Sequence, residues 1–213
     1  MSTGSPKVTG VVVADELTYM GLPNRFYSTT SKSSVLEYML DALWTVFDRT
    51  LIVSSTDPPL DIMERIDFLG ARVTMDRSGD EMSMMLSAVE LVETPAVLVV
   101  SGDRPLLKPS VLFMIAYNMG NFECVVPRWR DKRIDPLLAS YRTTSLEESL
   151  KKGRLHGSLV DLIGGLNDIL YISVENELNM VDPELHSFLR LKDPGGKEKI
   201  LRVLNFKESS EGG

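Results

Sequence analysis

The sequence predicts an α/β fold: a Rossmann-like, doubly wound, mostly parallel sheet with helices on both faces. Three observations predict it. Short β-branched apolar runs alternate with segments of helical periodicity four times before residue 101. The first and fourth runs are rich in Val and other apolar residues, as in strands covered on both faces, and the first is too short and Val-rich for a helix. Strand and helix alternating at this spacing imply right-handed parallel crossovers, and hence an open sheet.

Val8–Ala14, with Gly10 inside, is the first buried strand. Residues 15–34 form a loop mixing Gly21, Pro23, Asn24 and a Ser/Thr run, and a loop of that length in a compact domain usually carries function. Ser33 or Ser34 caps the first helix with Glu37 three or four residues on, and Val35, Leu36, Met39, Leu40, Leu43 and Val46 recur at helical spacing. Residues 50–53 make a strand, and 60–69 a helix with Ile62, Met63, Ile66 and Leu69 on one stripe. Residues 71–75 are the third strand. A helix over 80–93 turns Met84, Met85, Ala88, Val89 and Val92 inward, and 96–100 is the fourth strand. The second half is less regular, with helices over 110–118, 145–152 and 157–163 and strands over 123–126, 134–141 and 169–174. A last helix starts at Asp182 or Pro183 and runs to Leu191. Asp193-Pro194-Gly195-Gly196 breaks it, and residues 207–213 are a loose polar end.

Composition narrows the function classes. Apolar residues at 43% and charged residues at 25% describe a folded globular chain, not a disordered one. Apolar runs such as 95–100 fall far short of the roughly 20 residues of a membrane helix, and no apolar signal core opens the chain, so a cytoplasmic protein without membrane contact is expected. One cysteine, Cys124, forms no internal disulfide, agrees with a reducing compartment and excludes a cysteine zinc site. A formal net charge of −7 with scattered basic residues argues against a nucleic-acid partner. Any phosphate ligand is then small and locally held.

In an open α/β sheet ligands bind at strand C-termini. Those ends carry Ala14-Asp15-Glu16, Ser54-Ser55-Thr56, Asp76 and Ser101-Gly102-Asp103, so four polar clusters gather along one edge. Asp103 emerges there as a candidate ligand for Mg²⁺, which needs only one or two carboxylates and completes its shell with water and phosphates. The alternative is a turn Asp capping the following segment.

Several stretches together carry a resemblance. They are Val11-Val12-Val13-Ala14, Met20-Gly21, Arg25, Ser101-Gly102-Asp103-Arg104-Pro105, Val125-Val126-Pro127-Arg128-Trp129, Asp135-Pro136-Leu137-Leu138-Ala139-Ser140-Tyr141 and Asn179-Met180-Val181-Asp182-Pro183-Glu184. In this order and spacing, over about residues 8–191, the chain resembles the molybdenum cofactor guanylyltransferases. It is similar also to the archaeal adenosylcobinamide-phosphate guanylyltransferases, around Asp76-Arg77-Ser78-Gly79 and the strand before Asp103. The resemblance implies a fold of the nucleotide-diphospho-sugar transferase type in one domain over 1–207, with a nucleotide half at about 8–106, an acceptor half at about 107–191 and a disordered tail at 208–213. It implies GTP over the first loop and a phosphorylated acceptor, molybdopterin or cobinamide phosphate, attacking the α-phosphorus with loss of pyrophosphate. Mg²⁺ on Asp103, Arg25 as phosphate cation and Asp76 near the nucleoside are carried over by position, with Ala14, Gly21 and Ser54 around the nucleotide. A monomer or weak homodimer is expected.

The departures from that family concern the first loop. Relatives read Leu-Ala-Gly-Gly, then Arg-Met-Gly and a Lys; here Asp15 and Glu16 replace both glycines, the arginine is missing, and the loop is one residue shorter. Glycines let backbone N–H groups approach a triphosphate, whereas each carboxylate at contact range opposes it by roughly 1–4 kcal/mol. Asp15 or Glu16 either joins Asp103 around a divalent ion or points into solvent. Arg25 stands where the family has Lys, and Val181 where it has an Asn that helps the metal site. The chain is therefore expected to be an active guanylyltransferase or a non-catalytic nucleotide-binding relative with a decayed phosphate loop. His156 and His186 lack helical-spacing partners and are not expected to bind metal. Met82, Met84 and Met85 read as core. Trp129 and the cations Arg128, Arg130, Lys132 and Arg133 read equally as an acceptor-binding patch or a solvated hairpin, and Asp135 as a weak acceptor contact.

Overall fold

The computed structural model describes residues 7–23, 32–68, 71–153 and 157–210. Val8–Ala14 forms β1, buried along its whole length as its Val content dictates. A 3-10 turn, Glu16–Tyr19, and two short strands, β2 (Gly21–Pro23) and β3 (Lys32–Ser34), occupy the region expected to be loop. Helix α1 (Val35–Trp44) starts at Ser34 through a full capping box: the Ser34 N–H donates to Glu37 Oε2 at 2.6 Å, and the Glu37 N–H to Ser34 Oγ at 3.3 Å. There follow β4 (Arg49–Ser54), α2 (Leu60–Phe68), β5 (Arg72–Met75), α3 (Glu81–Val89, capped by Asp80), β6 (Ala96–Ser101) and α4 (Pro109–Tyr117). The second half adds β7 (Cys124–Arg128), β8 (Leu138–Arg142), α5 (Thr143–Gly153), α6 (Leu159–Gly164) and β9 (Ile169–Ser173). The short α7 (Asn179–Val181) and the long α8 (Gly196–Ser210) complete the chain.

Seven strands make one sheet in the order β5-β4-β1-β6-β8-β7-β9. β5, β4, β1 and β6 are mutually parallel, β8 is antiparallel to both its neighbours, and β9 is parallel to β7. Alternation along β1 sends Val12 and Ala14 to one face and Val11 and Val13 to the other. The first face packs against α1, α2, α4 and α8, and the second against α3, α5 and α6. Met82, Met84 and Met85 lie in the second core, as expected. Each fully buried Leu, Ile or Val contributes about 1.5–3 kcal/mol over its exposed state. Cys124 is buried inside β7 and burial pushes its thiol up, so it is structural. Among the described residues no helix is long and apolar enough to cross a membrane.

Three expectations are corrected. The strand expected over 134–141 begins only at Leu138; Ile134 makes a single bridge to Arg128, and Asp135 and Pro136 turn the chain. No helix spans 182–191. Buried Asp182 accepts from the Ser187 N–H at 2.8 Å and pairs with Lys108 at 2.7 Å, and Leu185 sits in the left-handed region at φ 52°. Those ties fold the segment into a short 3-10 turn, His186–Phe188, and leave residues 189–192 outside any helix. Finally, the expected loose end from Lys207 is helical through Ser210, because Ile200 and Leu204 bury one face of α8.

Candidate functional site

The four parallel strands finish side by side, in a register that pairs Ala14 with Ser54, Ser54 with Met75 and Val13 with Ser101. Backbone bonds beyond the ladder tie their exits together: Ser55 N–H to Ala14 O (3.0 Å), Asp76 N–H to Ser54 O (2.9 Å) and Gly102 N–H to Val13 O (2.7 Å). The sequence-predicted clusters therefore share one edge.

At the β1 exit, Ala14 is fully buried and Asp15 caps the 3-10 turn. The Leu17 N–H donates to Asp15 Oδ1 (3.0 Å), the Asp15 N–H to Thr18 Oγ1 (3.0 Å), and the Thr18 N–H to Asp15 O (3.1 Å). Three amides of the loop are thus consumed internally, where a glycine loop would aim them at phosphate. Neither alternative for the acidic pair describes Asp15, which pairs with Lys192 Nζ at 2.7 Å, whereas Glu16 is exposed to solvent. Gly21 is exposed at the start of β2, opposite Ser34. Arg25, the expected phosphate cation, lies outside the described residues, as does His156.

At the β4 and β5 exits, buried Ser54 accepts from the Tyr19 hydroxyl (2.7 Å) and donates to Thr56 O (2.6 Å). Burial pushes the Tyr19 phenol up despite the Ser54 bond. Asp76 accepts from the Ser78 N–H (3.0 Å) and from the Ser87 hydroxyl (2.5 Å), which shapes the turn into α3.

Asp103 sits at the mouth between β1 and β6 and is 1% exposed. Ser101 Oγ donates to its Oδ1 at 2.5 Å, Arg190 Nε lies 3.3 and 3.2 Å from its two oxygens, and the Lys192 N–H is 3.4 Å from Oδ2. Arg190 Nη2 also donates to Ser101 Oγ at 3.2 Å, and the Leu191 N–H to Asp103 O at 3.0 Å. Residues 190–192 therefore lie across the mouth as a strap. Burial alone would raise the Asp103 carboxyl, but the Ser101 hydroxyl and the guanidinium groups of Arg190 and Arg104 outweigh it and hold the carboxyl below its ordinary value. Arg104, fully buried, pairs with Asp135 and donates from Nη1 to Ser187 O at 3.3 Å. Asp135 is thereby a structural partner as well as a wall of the cavity beside it.

That cavity, about 530 Å³, is bounded by Asp80, Glu81, Asp135, Ser158, Val160 and Arg190. A second of about 420 Å³ shares Asp135 and Arg190 and adds Trp129, Arg133 and Phe188. Trp129 packs edge-on to Phe188 (5.2 Å between centroids) with the Arg133 guanidinium over its ring, so it forms a wall of this second cavity. Arg128, Arg130 and Lys132 line a separate recess with Tyr171. His186 lies 3.3 Å from Glu184.

The residues present do not fit the metal that the resemblance implies. Both oxygens of Asp103 are engaged by N–H and O–H donors, the second acidic group is neutralised by Lys192, and Val181 brings only its backbone, accepting from Ser110. Among the described residues no three His, Cys, Asp or Glu side chains gather into a closed protein cage for a metal.

The lowered Asp103 carboxyl gives a pH prediction. A group depressed on folding stabilises fully above its unfolded value, about pH 4, and loses that contribution as pH falls through the folded value. Asp103→Asn should therefore unfold at lower urea than the parent at pH 7, with the gap closing on acidification. A gap that persists at the lowest pH would show that the charge is not the source. Asp182, held low by Lys108 and Ser187 against its burial, keeps some acid sensitivity in the variant.

Two site residues, Arg190 and Lys192, are not among the site candidates of the sequence reading, which ends its last helix at Leu191. The period-two alternation Leu189-Arg190-Leu191-Lys192 was the available signal for an extended strap.

Comparison with known proteins agrees with this architecture. A protein of Methanosarcina mazei named "Probable molybdenum cofactor guanylyltransferase" is 22% identical over 191 residues, covering 85% of this chain and 84% of that protein. The crystal structure of "Molybdopterin-guanine dinucleotide biosynthesis protein A" from Archaeoglobus fulgidus superposes with a TM-score of 0.66 at 20% identity, over 93% of this chain and 99% of that one. The 2-C-methyl-D-erythritol 4-phosphate cytidylyltransferase of Thermus thermophilus shares the fold with a TM-score of 0.63 at 15% identity, over 95% and 97% of the two chains. These structures identify the nucleotide-diphospho-sugar transferase fold, mostly parallel, as the sequence predicts. With the family model for the MobA-like NTP transferase domain matching residues 16–166, the chain belongs to that family of nucleotidyltransferases.

Proposed function

We propose that the protein transfers GMP from GTP to the terminal phosphate of a molybdopterin-type cofactor precursor, with cobinamide phosphate as the rival acceptor. The observation that carries this reading is the Asp103 mouth at the end of β6, opening beside a cavity of about 530 Å³ in a chain of this family. An acceptor phosphate oxygen attacks the α-phosphorus, the bond to the bridging oxygen breaks, and pyrophosphate leaves with the electron pair. Catalysis of such a transfer is mostly positioning and neutralisation of charge. Arg190, which borders both cavities, and Lys192 are the cations of the mouth, each paired with a carboxylate, Asp103 and Asp15. Arg25 belongs to the same reading as the cation of the first loop, with Ala14, Gly21, Ser54 and Asp76 towards the nucleotide. The family generally uses a divalent metal, and Mg²⁺ is the ion the resemblance implies, but Asp103 as arranged does not hold it.

The test incubates purified protein with each nucleoside triphosphate and either acceptor, in MgCl₂ or in EDTA, and follows pyrophosphate. Release with GTP and molybdopterin is expected; no release in any combination overturns the reading. A second reading, a nucleotide-binding relative without turnover, is favoured by the internally consumed amides after Ala14. Calorimetric binding of GTP in a protein that releases no pyrophosphate would select it.

A further inference from the structure

We propose that Arg190 takes the place of a divalent ion at Asp103, so that this mouth receives phosphate-bearing ligands through a fixed guanidinium. The identity of the ligand rests on the nucleotidyl-transfer reading above; the exclusion of the ion does not.

The strap is anchored by its backbone as well as by its side chains. The N–H groups of Leu191 and Lys192 both donate to Asp103, one to its carbonyl and one to its carboxylate. Behind the strap, a Cβ on Gly196 would overlap Arg190 O, so the turn into α8 presses directly on it. Arg190 is therefore positioned from two sides. Its Nε and Nη2 are spent on Asp103 and Ser101, while Nη1 has no partner among the described residues, and Arg190 lines both cavities. A planar guanidinium can hold a carboxylate with one edge and a phosphate oxygen with the remaining N–H groups.

Mg²⁺ keeps several waters of its own. A carboxylate that is 1% exposed and bonded on both oxygens offers a hydrated ion no approach. Asp15 and Asp103 are already paired with Lys192 and Arg190. Seating an ion on the two carboxylates would break both pairs.

The experiment titrates Mn²⁺ into the full chain, reading free Mn²⁺ by electron paramagnetic resonance. Parent, Asp103→Asn, Arg190→Gln and Arg190→Gln/Asp103→Asn proteins are compared after circular dichroism confirms that each is folded. The parent should bind no tighter than millimolar, Arg190→Gln should gain about tenfold or more in affinity, and the double variant should lose that gain. Micromolar binding by the parent that Asp103→Asn abolishes overturns the proposal, as does a folded Arg190→Gln that gains nothing. GTP should bind the parent with the same affinity in EDTA as in MgCl₂. Pyrophosphate release that requires Mg²⁺ would overturn this inference and keep the transfer reading. Release in neither medium would remove the transfer reading, with the Mn²⁺ titration still deciding the ion.

Discussion

Arg104→Met should lower the free energy of unfolding by about 3–5 kcal/mol, the range for breaking a buried ion pair from one side. Arg104 is fully enclosed and Asp135 only 12% exposed, so the pair is screened by little water. Truncation removes the hydrogen-bonded ion-pair partner of Asp135, leaving it only the unbonded charge of Arg190, and deprives the Ser187 carbonyl of the donor that the guanidinium supplies. Methionine refills most of the volume, so the loss reports the orphaned charge more than a cavity. Adding Asp135→Asn should recover part of it, because the group then left unpaired is neutral. Urea midpoints at pH 7 decide the matter. A loss of about 1 kcal/mol or less, as for an exposed pair, would show that Arg104 is not the fastener between the β6 exit and the turn before β8.

Gly102→Ala is the second large effect. A Cβ there would overlap Thr18 Oγ1, lie 2.9 Å from Val13 O and 3.1 Å from Ala14 Cα. The first obstacle is a side chain, but the other two are backbone of the central strand and cannot retreat. Overpacking of this kind costs about 1–3 kcal/mol, against the roughly 0.4–1 kcal/mol that alanine gains by restricting the unfolded chain. Destabilisation therefore wins. Thr18→Ala added to Gly102→Ala should restore little, since it clears only the hydroxyl and also removes the acceptor of the Asp15 N–H. Parental stability in Gly102→Ala would mean that the β1 and β6 exits are not in contact as described.

The sheet was legible because its strands announce themselves. β1 has the predicted bounds, since a Val-rich run ends abruptly at Asp15. The α1 cap was legible because Ser34 and Glu37 act locally. Residues 182–191 were not. Asp182-Pro183-Glu184 carries every helix-start signal, yet Asp182 is spent on Lys108 and Ser187, and the left-handed Leu185 ends any turn begun there. The same limit applies to the site. Asp103 was placed at the mouth by the strand and Gly-Asp step before it, but its counter-charge comes from a residue 87 positions later. Local pattern cannot report a partner at that distance. α8 was hidden by Gly195-Gly196, which read as a break, although Ile200 and Leu204 already stood four apart.

The strap also sets an order of events during synthesis. A ribosome delivers β1 and β6 long before residues 190–192, so a nascent chain holding the whole central sheet still carries the Asp15 and Asp103 carboxylates without Lys192 and Arg190. The mouth acquires these two ion pairs only late in synthesis, and stalled chains ending before residue 190 should be correspondingly sensitive to protease near Asp15.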